Sequence, residues 1–520
     1  MSSKNNIKQN SIFLWSMLFC SLLLAVLGII KDGETMAYLA PTLYLSVGFG
    51  AVFSYGMSQS IGVLVRNRMK KGQHKNAKRV IKAALLLHIV LSVILILVSV
   101  LLKNDICDNI FKLGKAAFSF EYLGILFLLT GFMGIMQGYL EGVRAAKIVS
   151  NSRILFSFLC LLIFVFGRIR KDYGVKVAAL LKNDSFIHSY EANGVMLGLC
   201  IAVLITDVIL LFFVFVMARS SSIDAFLDNS RLKESVFSLI FFILRECLYR
   251  GLLFALPAFV CLVDCSIYFS NYQDLEQVAG YGYYGGVIIP LILSASLIAY
   301  LGVRENLKEV ISLFGRDMAR QGREELAKCI HLICVYSFLY VALFFGLRNT
   351  FLPIIGNSLC VACGMPIILA LICLLVYVLQ NTGRSRIYLY AVIAGFVLHL
   401  LLAIILLRNT QLMSIGLVIA DYAGLIVCLV LCLMNVMRVY PMGISAFLSV
   451  VKPLICAVVS GTVILLLSII EPANNMLFLL INTVVCTVIY YILLIALQVL
   501  SADDLRNLPF GSFVLRRINR

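Results

Sequence analysis

Four charged side chains lie inside a single apolar run, FFILRECLYRGLLFALPAFVCLVDC (241–265): Arg245, Glu246, Arg250 and Asp264. Steps of four and three residues from Glu246 pass through Arg250, Leu253, Pro257, Cys261 and Asp264, which puts these positions on one face of a helix, with Arg245 beside it. A charge at the centre of a membrane span costs roughly 2.5–3.5 kcal/mol on insertion scales, so such groups line watery cavities or pair with one another. Guanidinium groups on that face would hold a phosphate through charge-assisted hydrogen bonds. A face charged at both ends and interrupted by Pro257 suits a cavity wall. The competing reading is an Arg250–Glu246 pair that neutralises itself and adds little net stability.

Other intramembrane groups stand singly. Asp207 and Asp421 each sit in the middle of an apolar segment and are candidate H⁺ or Na⁺ coupling sites, or polar contacts between helices. His399, in FVLHLLLAI (396–404), has no Asn or Asp near it in sequence; core packing with one hydrogen bond suits it better than the base of a membrane acyltransferase. Arg153, Gln137 and Glu141 make a further polar patch, and Arg66 closes the inner end of the second apolar segment. The run Gly-Tyr-Gly-Tyr-Tyr-Gly-Gly (280–286) reads as an interfacial aromatic belt with glycines for close helix approach, and as a sugar-stacking surface in the alternative. No metal-ligand spacing, phosphate-binding loop or dinucleotide fingerprint is present, so neither ATP hydrolysis nor a bound cofactor is expected. Cys360 and Cys363 match C-x-x-C without a second pair, and the cysteines as a set read as small hydrophobes inside helices.

The elements that must position these groups are transmembrane helices. The chain has 520 residues, 62% of them hydrophobic and 13% charged, more apolar surface than a soluble domain of this length can bury. Apolar segments of about 20 residues recur, each long enough to cross a core of roughly 30 Å as a helix. They are placed near 11–30, 38–65, 81–102, 119–142, 149–167, 193–217, 237–269, 279–302, 328–347, 352–379, 387–407, 412–437, 445–470 and 475–498, an all-α polytopic architecture of about fourteen spans. The first run follows Lys4 and Lys8, lacks a small-residue cleavage site and reads as a retained helix. The net charge of +17 resides in short loops, where it signals topology and attraction to anionic lipids rather than to nucleic acid. Basic loops alternate with poorer ones so that both termini are expected to face the cytoplasm. The loop 168–192 departs from this pattern: it should face outward, yet carries Arg168, Arg170, Lys171, Lys176 and Lys182. A short interfacial helix over 175–181, or a re-entrant segment, would account for it. The polar linker 218–234 divides the chain into lobes 1–230 and 231–500, with a short tail, 501–520.

A weak internal repeat supports two related lobes. The basic stretch RNRMKKGQHKNAKRVIK (66–82) contains Met69, Gly72, Ala77, Lys78 and Val80, echoed by Met318, Gly322, Ala327, Lys328 and Ile330 about 250 residues later. Each copy follows a helix-length apolar segment with a proline at a matching place, Pro41 and Pro290. Together with SQSIGVLVRNRMKKGQHKNAKRVI (58–81), FMGIMQGYLEGVRAAKIVSNSRIL (132–155), LSASLIAYLGVREN (293–306) and YVLQNTGRSRIYL (377–389), this pattern resembles the multidrug/oligosaccharidyl-lipid/polysaccharide (MOP) exporter superfamily. Within it the chain looks most like the polysaccharide and stage V sporulation protein B branch, whose members are established or proposed flippases of lipid-linked saccharides. The resemblance implies two lobes in a V around a central cavity, opening alternately to either side. In lipid II flippases, arginines from the first two helices and the eighth reach that cavity; here the first helix has Trp15 and Ser16 but no Arg, and the second has only Arg66.

The expected function is therefore movement of an undecaprenyl-pyrophosphate-linked oligosaccharide between leaflets. Arg250, Arg245, Glu246, Asp264, Arg66 and Arg153 would line the anion's path. A lipid-linked saccharide, anionic lipids and polysaccharide-assembly proteins are the implied partners. A cation-coupled multidrug exporter, a lipid II flippase and a membrane-embedded acyl or glycosyl transferase using His399 are the alternatives.

Overall fold

A chain this apolar, placed in hydrocarbon, must satisfy its backbone N–H and C=O groups internally, and helices do so within one segment. A computed structural model describes every residue except 1, 221–232, 316–317, 352, 409–411, 444, 446, 470–475 and 501–520. Most of the linker and the whole tail therefore lie outside the described residues. Among those described, fourteen helices are long and apolar enough to cross a membrane. They are α1 (Ile12–Ile30), α2 (Gly33–Lys70), α3 (His74–Leu101), α4 (Gly114–Gly142), α5 (Ala146–Leu181), α6 (Ser185–Met217) and α7 (Val236–Asn271), followed by α8 (Leu275–Phe314). The rest are α9 (Ala319–Gly346), α10 (Ile355–Asn381), α11 (Arg386–Leu406), α12 (Met413–Val439), α13 (Phe447–Ser468) and α14 (Leu477–Ala496). This is the all-helical, fourteen-span protein the apolar pattern predicts.

The long basic loop expected at 168–192 is not a loop. Helix α5 runs to Leu181 and α6 begins at Ser185, so the connection is a turn in which Lys182 takes a left-handed conformation (φ 51°). The basic residues lie on a helix instead, where Arg168 meets Asp172 at 3.5 Å and Lys171 meets Asp32 at 3.3 Å. The cations are matched locally, which is why the charge pattern of this loop misleads.

Packing divides the chain into two compact units, Met1–Pro290 and Leu291–Arg520. The polar linker marks a change in composition at 230/231, but α7 beyond it packs against α2 and α3 inside the first unit. Close helix contact there depends on glycine. Gly134, Gly138 and Gly142 repeat every fourth residue along α4 and face Ser54, Ser58 and Val65 of α2. A Cβ at Gly251 of α7 would sit 2.4 Å from Val52 Cα, and one at Gly56 of α2 would sit 2.6 Å from the Cys247 carbonyl oxygen. Backbones approach closely only where no side chain stands between them. Around this contact α2 widens into π-helical turns over Ala51–Gly56, and α8 does the same over Tyr284–Ile288.

The glycine-tyrosine run of α8 serves the same purpose. A Cβ on Gly282 would overlap the Gly33 carbonyl, and one on Gly286 would press on Met36. Tyr281 and Tyr284 are fully buried, and the Tyr281 hydroxyl donates to the Cys261 carbonyl at 2.8 Å. These two rings belong to a packed cluster with Tyr268 and Phe269, so they form neither the aromatic belt nor the sugar platform expected from sequence.

In the second unit α9 is central. It meets α13 through Gly346 and Gly461, and Tyr490 of α14 donates to its Val335 carbonyl at 2.7 Å. Helices α11 and α12 touch at Gly395 and Gly424. No disulfide joins any of the sixteen cysteines. Between α3 and α4, burial pushes the Cys107 thiol up to about 12, so it is not a thiolate at neutral pH.

Gly251→Ala should lower stability by about 1–3 kcal/mol, because the new methyl meets backbone that cannot rotate aside. Gly50→Ala, with nothing within 4 Å of its Cβ position, should be neutral. Thermal unfolding of detergent-solubilised protein compares the two; equal midpoints would contradict the backbone contact.

Candidate functional site

At the end of the first unit that carries Arg66, charged and aromatic side chains from five helices form one band. Glu141 (α4) and Arg153 (α5) are 6% and 7% exposed and pair at 3.1 Å. Arg66 of α2 donates to the Glu141 carbonyl at 3.3 Å, and Gln137 donates to Ser152 Oγ at 3.3 Å. The Arg153 guanidinium stands 5.5 Å from the centre of the Phe13 ring of α1. Phe13 stacks on Tyr55 of α2 at 4.8 Å, and Tyr55 meets Phe254 of α7 edge-on at 5.1 Å. Tyr55 thus lies within electrostatic reach of Glu141, Arg153 and Arg250 together. The structure brings Arg66 and Arg153 onto one residue, Arg153 on the Glu141 carboxylate and Arg66 on its backbone carbonyl, and an aromatic ladder joins them to the charged face of α7.

That face is asymmetric. Glu246 accepts from Arg250 at 3.3 Å and lies 3.6 Å from Arg245, so two guanidiniums share one carboxylate. Arg245 is 72% exposed and Arg250 36%. The Arg250 Nε is buried and has no acceptor among the described residues. The self-cancelling pair considered from sequence is therefore present but incomplete: one positive charge and one directional donor remain. Asp264 is fully buried, and at 1.5 Å rise per residue lies about 21 Å farther along the helix, beyond Pro257, so it does not share the Arg250 site.

The single groups divide. Asp207 of α6 is 7% exposed, and neither carboxylate oxygen has a hydrogen-bond partner among the described residues. Asp421 of α12 instead lies 3.3 Å from His399 Nδ1 of α11, across the contact where Gly395 and Gly424 meet. The partner missing near His399 in sequence arrives from the next span.

Two features escape the sequence reading. Arg304, expected in a loop, is 5% exposed because α8 continues to Phe314; it lies within electrostatic reach of Tyr300 and Tyr377. The second is an ion network at the opposite end of α2. Glu191 is fully buried and accepts from Lys31 at 2.5 Å and Thr35 at 3.1 Å, with Lys171 at 3.2 Å. His188 lies 3.6 Å from Asp32 and 3.9 Å from Glu34. Asp32, His188 and Glu191 place ligand atoms within 4.8 Å of one another, the spacing of a metal site, but the two lysine ammonium groups already neutralise those carboxylates. The i, i+3 spacing of His188 and Glu191 was the available signal, hidden because both fell in an expected loop.

These observations define a class: a multi-pass helical membrane protein with paired and unpaired charges inside its spans. Comparison with solved structures names the fold. An inward-facing multidrug resistance MATE family transporter of the MOP superfamily matches with TM-score 0.58 at 15% identity, covering 83% of this chain and 94% of that one. The lipid II flippase MurJ in an inward closed conformation matches with TM-score 0.59 at 12% identity, covering 94% and 97%. The chain therefore has the fold of MOP-superfamily transporters. No family model and no curated protein matches it.

Glu191→Gln would leave Lys31 buried beside a neutral amide, so a loss of about 3–5 kcal/mol is expected. Pairing Glu191→Leu with Lys31→Met should recover most of it. Thermal unfolding of the two variants reads the difference; a neutral Glu191→Gln would mean the network bears no load.

Proposed function

We propose that this chain is a flippase that carries an undecaprenyl-pyrophosphate-linked oligosaccharide or polysaccharide precursor from the inner to the outer leaflet of a bacterial plasma membrane by alternating access. The observation that carries the reading is Arg250, a half-buried guanidinium that, among the described residues, has no acceptor for its Nε and shares its carboxylate partner Glu246 with Arg245. An ionised pyrophosphate cannot enter hydrocarbon alone, since an unpaired charge there costs tens of kcal/mol by Born solvation. Arginine replaces the lost hydration with a planar fork of donors that fits phosphate oxygens. Arg66 and Arg153, joined to Arg250 through Tyr55 and its neighbouring rings, extend the basic path on the same unit. Likeness of fold to a structure named as a lipid II flippase supports a lipid-linked cargo. An inside-negative membrane favours outward passage of an anion by roughly 2.3 kcal/mol per charge per 100 mV, so no ATP site is needed. Both termini in the cytoplasm complete the reading.

Liposomes holding the purified protein and a labelled undecaprenyl-pyrophosphate-linked sugar test it. Arg250→Ala should slow leaflet exchange about tenfold or more, the equivalent of losing about 1.4 kcal/mol at the barrier. Arg250→Lys, which keeps charge but loses the fork, should fall between. Wild-type exchange in Arg250→Ala sinks the proposal.

Asp207 supports a second reading within the same fold, a cation-coupled exporter. A carboxyl with no partner in a span is suited to bind and release H⁺ or Na⁺. Asp207→Asn should then abolish the response of transport to an imposed cation gradient while leaving leaflet exchange without a gradient intact. Retention of the gradient response removes Asp207 from that role.

A further inference from the structure

The two copies of the repeated basic motif use their arginines differently. In the first, Arg68 donates to Glu234 through Nε at 2.9 Å and Nη2 at 2.5 Å, and Arg79 donates to the Glu234 carbonyl at 2.8 Å. In the second, Arg320 meets Glu324 at 3.3 Å, a pair 88% and 67% exposed and hence weak. Arg323, half-buried, has no carboxylate within ion-pair distance among the described residues.

The aligned glycines differ too. Gly72 makes a left-handed turn (φ 71°) before α3, whereas Gly322 lies within α9. There a Cβ would come 2.6 Å from the Phe314 ring. Phe314 in turn stacks on Tyr440 at 4.0 Å and 13°, next to the irregular segment 441–443. The result is a cavity of about 200 Å³ lined by Arg320, Arg323, Glu324 and Ala327 on one side and Pro441, Met442 and Gly443 on the other. Among the described residues two guanidiniums face one carboxylate, so this part of the lining is net positive. That space has room for a tetrahedral anion and its first substituent. It opens at the start of α9, ahead of the apolar stretch long enough to span the hydrocarbon core.

We propose that this cavity of the second unit binds a phosphate-bearing anion, with Arg323 as principal ligand and Arg320 as its partner. Arg323 offers the bidentate fork that phosphate oxygens accept, and the anion supplies the counter-charge that Glu234 supplies to the first copy. A lipid headgroup phosphodiester and a free phosphate share this chemistry. The site is independent of Arg250 and of any transported cargo.

The test uses the full chain in nanodiscs of phosphatidylcholine with or without phosphatidylglycerol, and native mass spectrometry of the lipids retained after release. Retained phosphatidylglycerol should fall about tenfold in the double variant Arg320→Ala, Arg323→Ala, and clearly in Arg323→Gln, which keeps the side-chain bulk. Arg386→Ala, an exposed cation elsewhere in the unit, should change nothing. If inorganic phosphate instead raises the unfolding temperature of wild type but not of the double variant, with phosphatidylglycerol retention equal in both, the ligand is the free ion. Equal retention together with no phosphate effect, or equal losses in Arg386→Ala, overturns the proposal.

Discussion

Direct backbone contact between helices is the constraint from which the first unit follows. Where Gly251 meets Val52, and where Gly134, Gly138 and Gly142 meet α2, there is no room for a single methyl group. In hydrocarbon the usual hydrophobic drive between helices is missing, so close van der Waals approach has to supply association. Once α4 and α7 are pressed against α2, Glu141, Tyr55 and the Arg250 face have no choice of neighbours. The charged band is a by-product of that packing, and its geometry is as fixed as the glycines that permit it.

Four carboxylates of this unit form a graded series. Glu191 has two ammonium groups and a hydroxyl; Glu141 has a buried arginine, with Arg66 bonded to its own carbonyl; Glu246 is divided between two arginines; Asp207 has no partner among the described residues. A saturated ion cluster resists change, because moving any member strands the others in a medium of low dielectric constant. A carboxyl or guanidinium with an open valence is where a mobile ion can enter without breaking something else. The difference between scaffold and site is thus visible in how many partners each charge has.

Much of this was legible in the sequence. Fourteen apolar segments gave fourteen helices, since span length is set by bilayer thickness and little else. The α7 face was legible because its residues obey helical spacing, and Arg66, Arg153 and Glu141 because charge is rare in such company. What failed to show was anything dependent on where a helix stops or what meets it from afar. Arg304 and Lys171 looked like loop residues since basic side chains near a span end read the same whether the helix has ended or not. Tyr281 and Tyr284 looked interfacial since tyrosine suits a membrane surface, yet here they fill a core. The Asp421 partner of His399 was invisible because contact between neighbouring spans has no fixed separation along the chain. The glycines at 134, 138 and 142 stood in plain view as a repeat of four, and only the structure says which helix they admit.

The π-helical turns of α2 have a consequence for how this helix could change over evolutionary time. A π-helical turn carries more residues than an α-turn, so the stretch Ala51–Gly56 holds a local surplus of chain. Deleting one residue there would return the stretch to ordinary winding and leave everything after it facing as it does now, because the wider turn absorbs about one residue's rotation of about 100°. Ser58, Ile61, Gly62 and Val65 would stay on α4, and Arg66 on Glu141. The same deletion in the ordinary α-helical part just before this stretch would swing all of them away, so the surplus makes this the one place where the longest helix in the first unit can lose a residue and keep its far half in register.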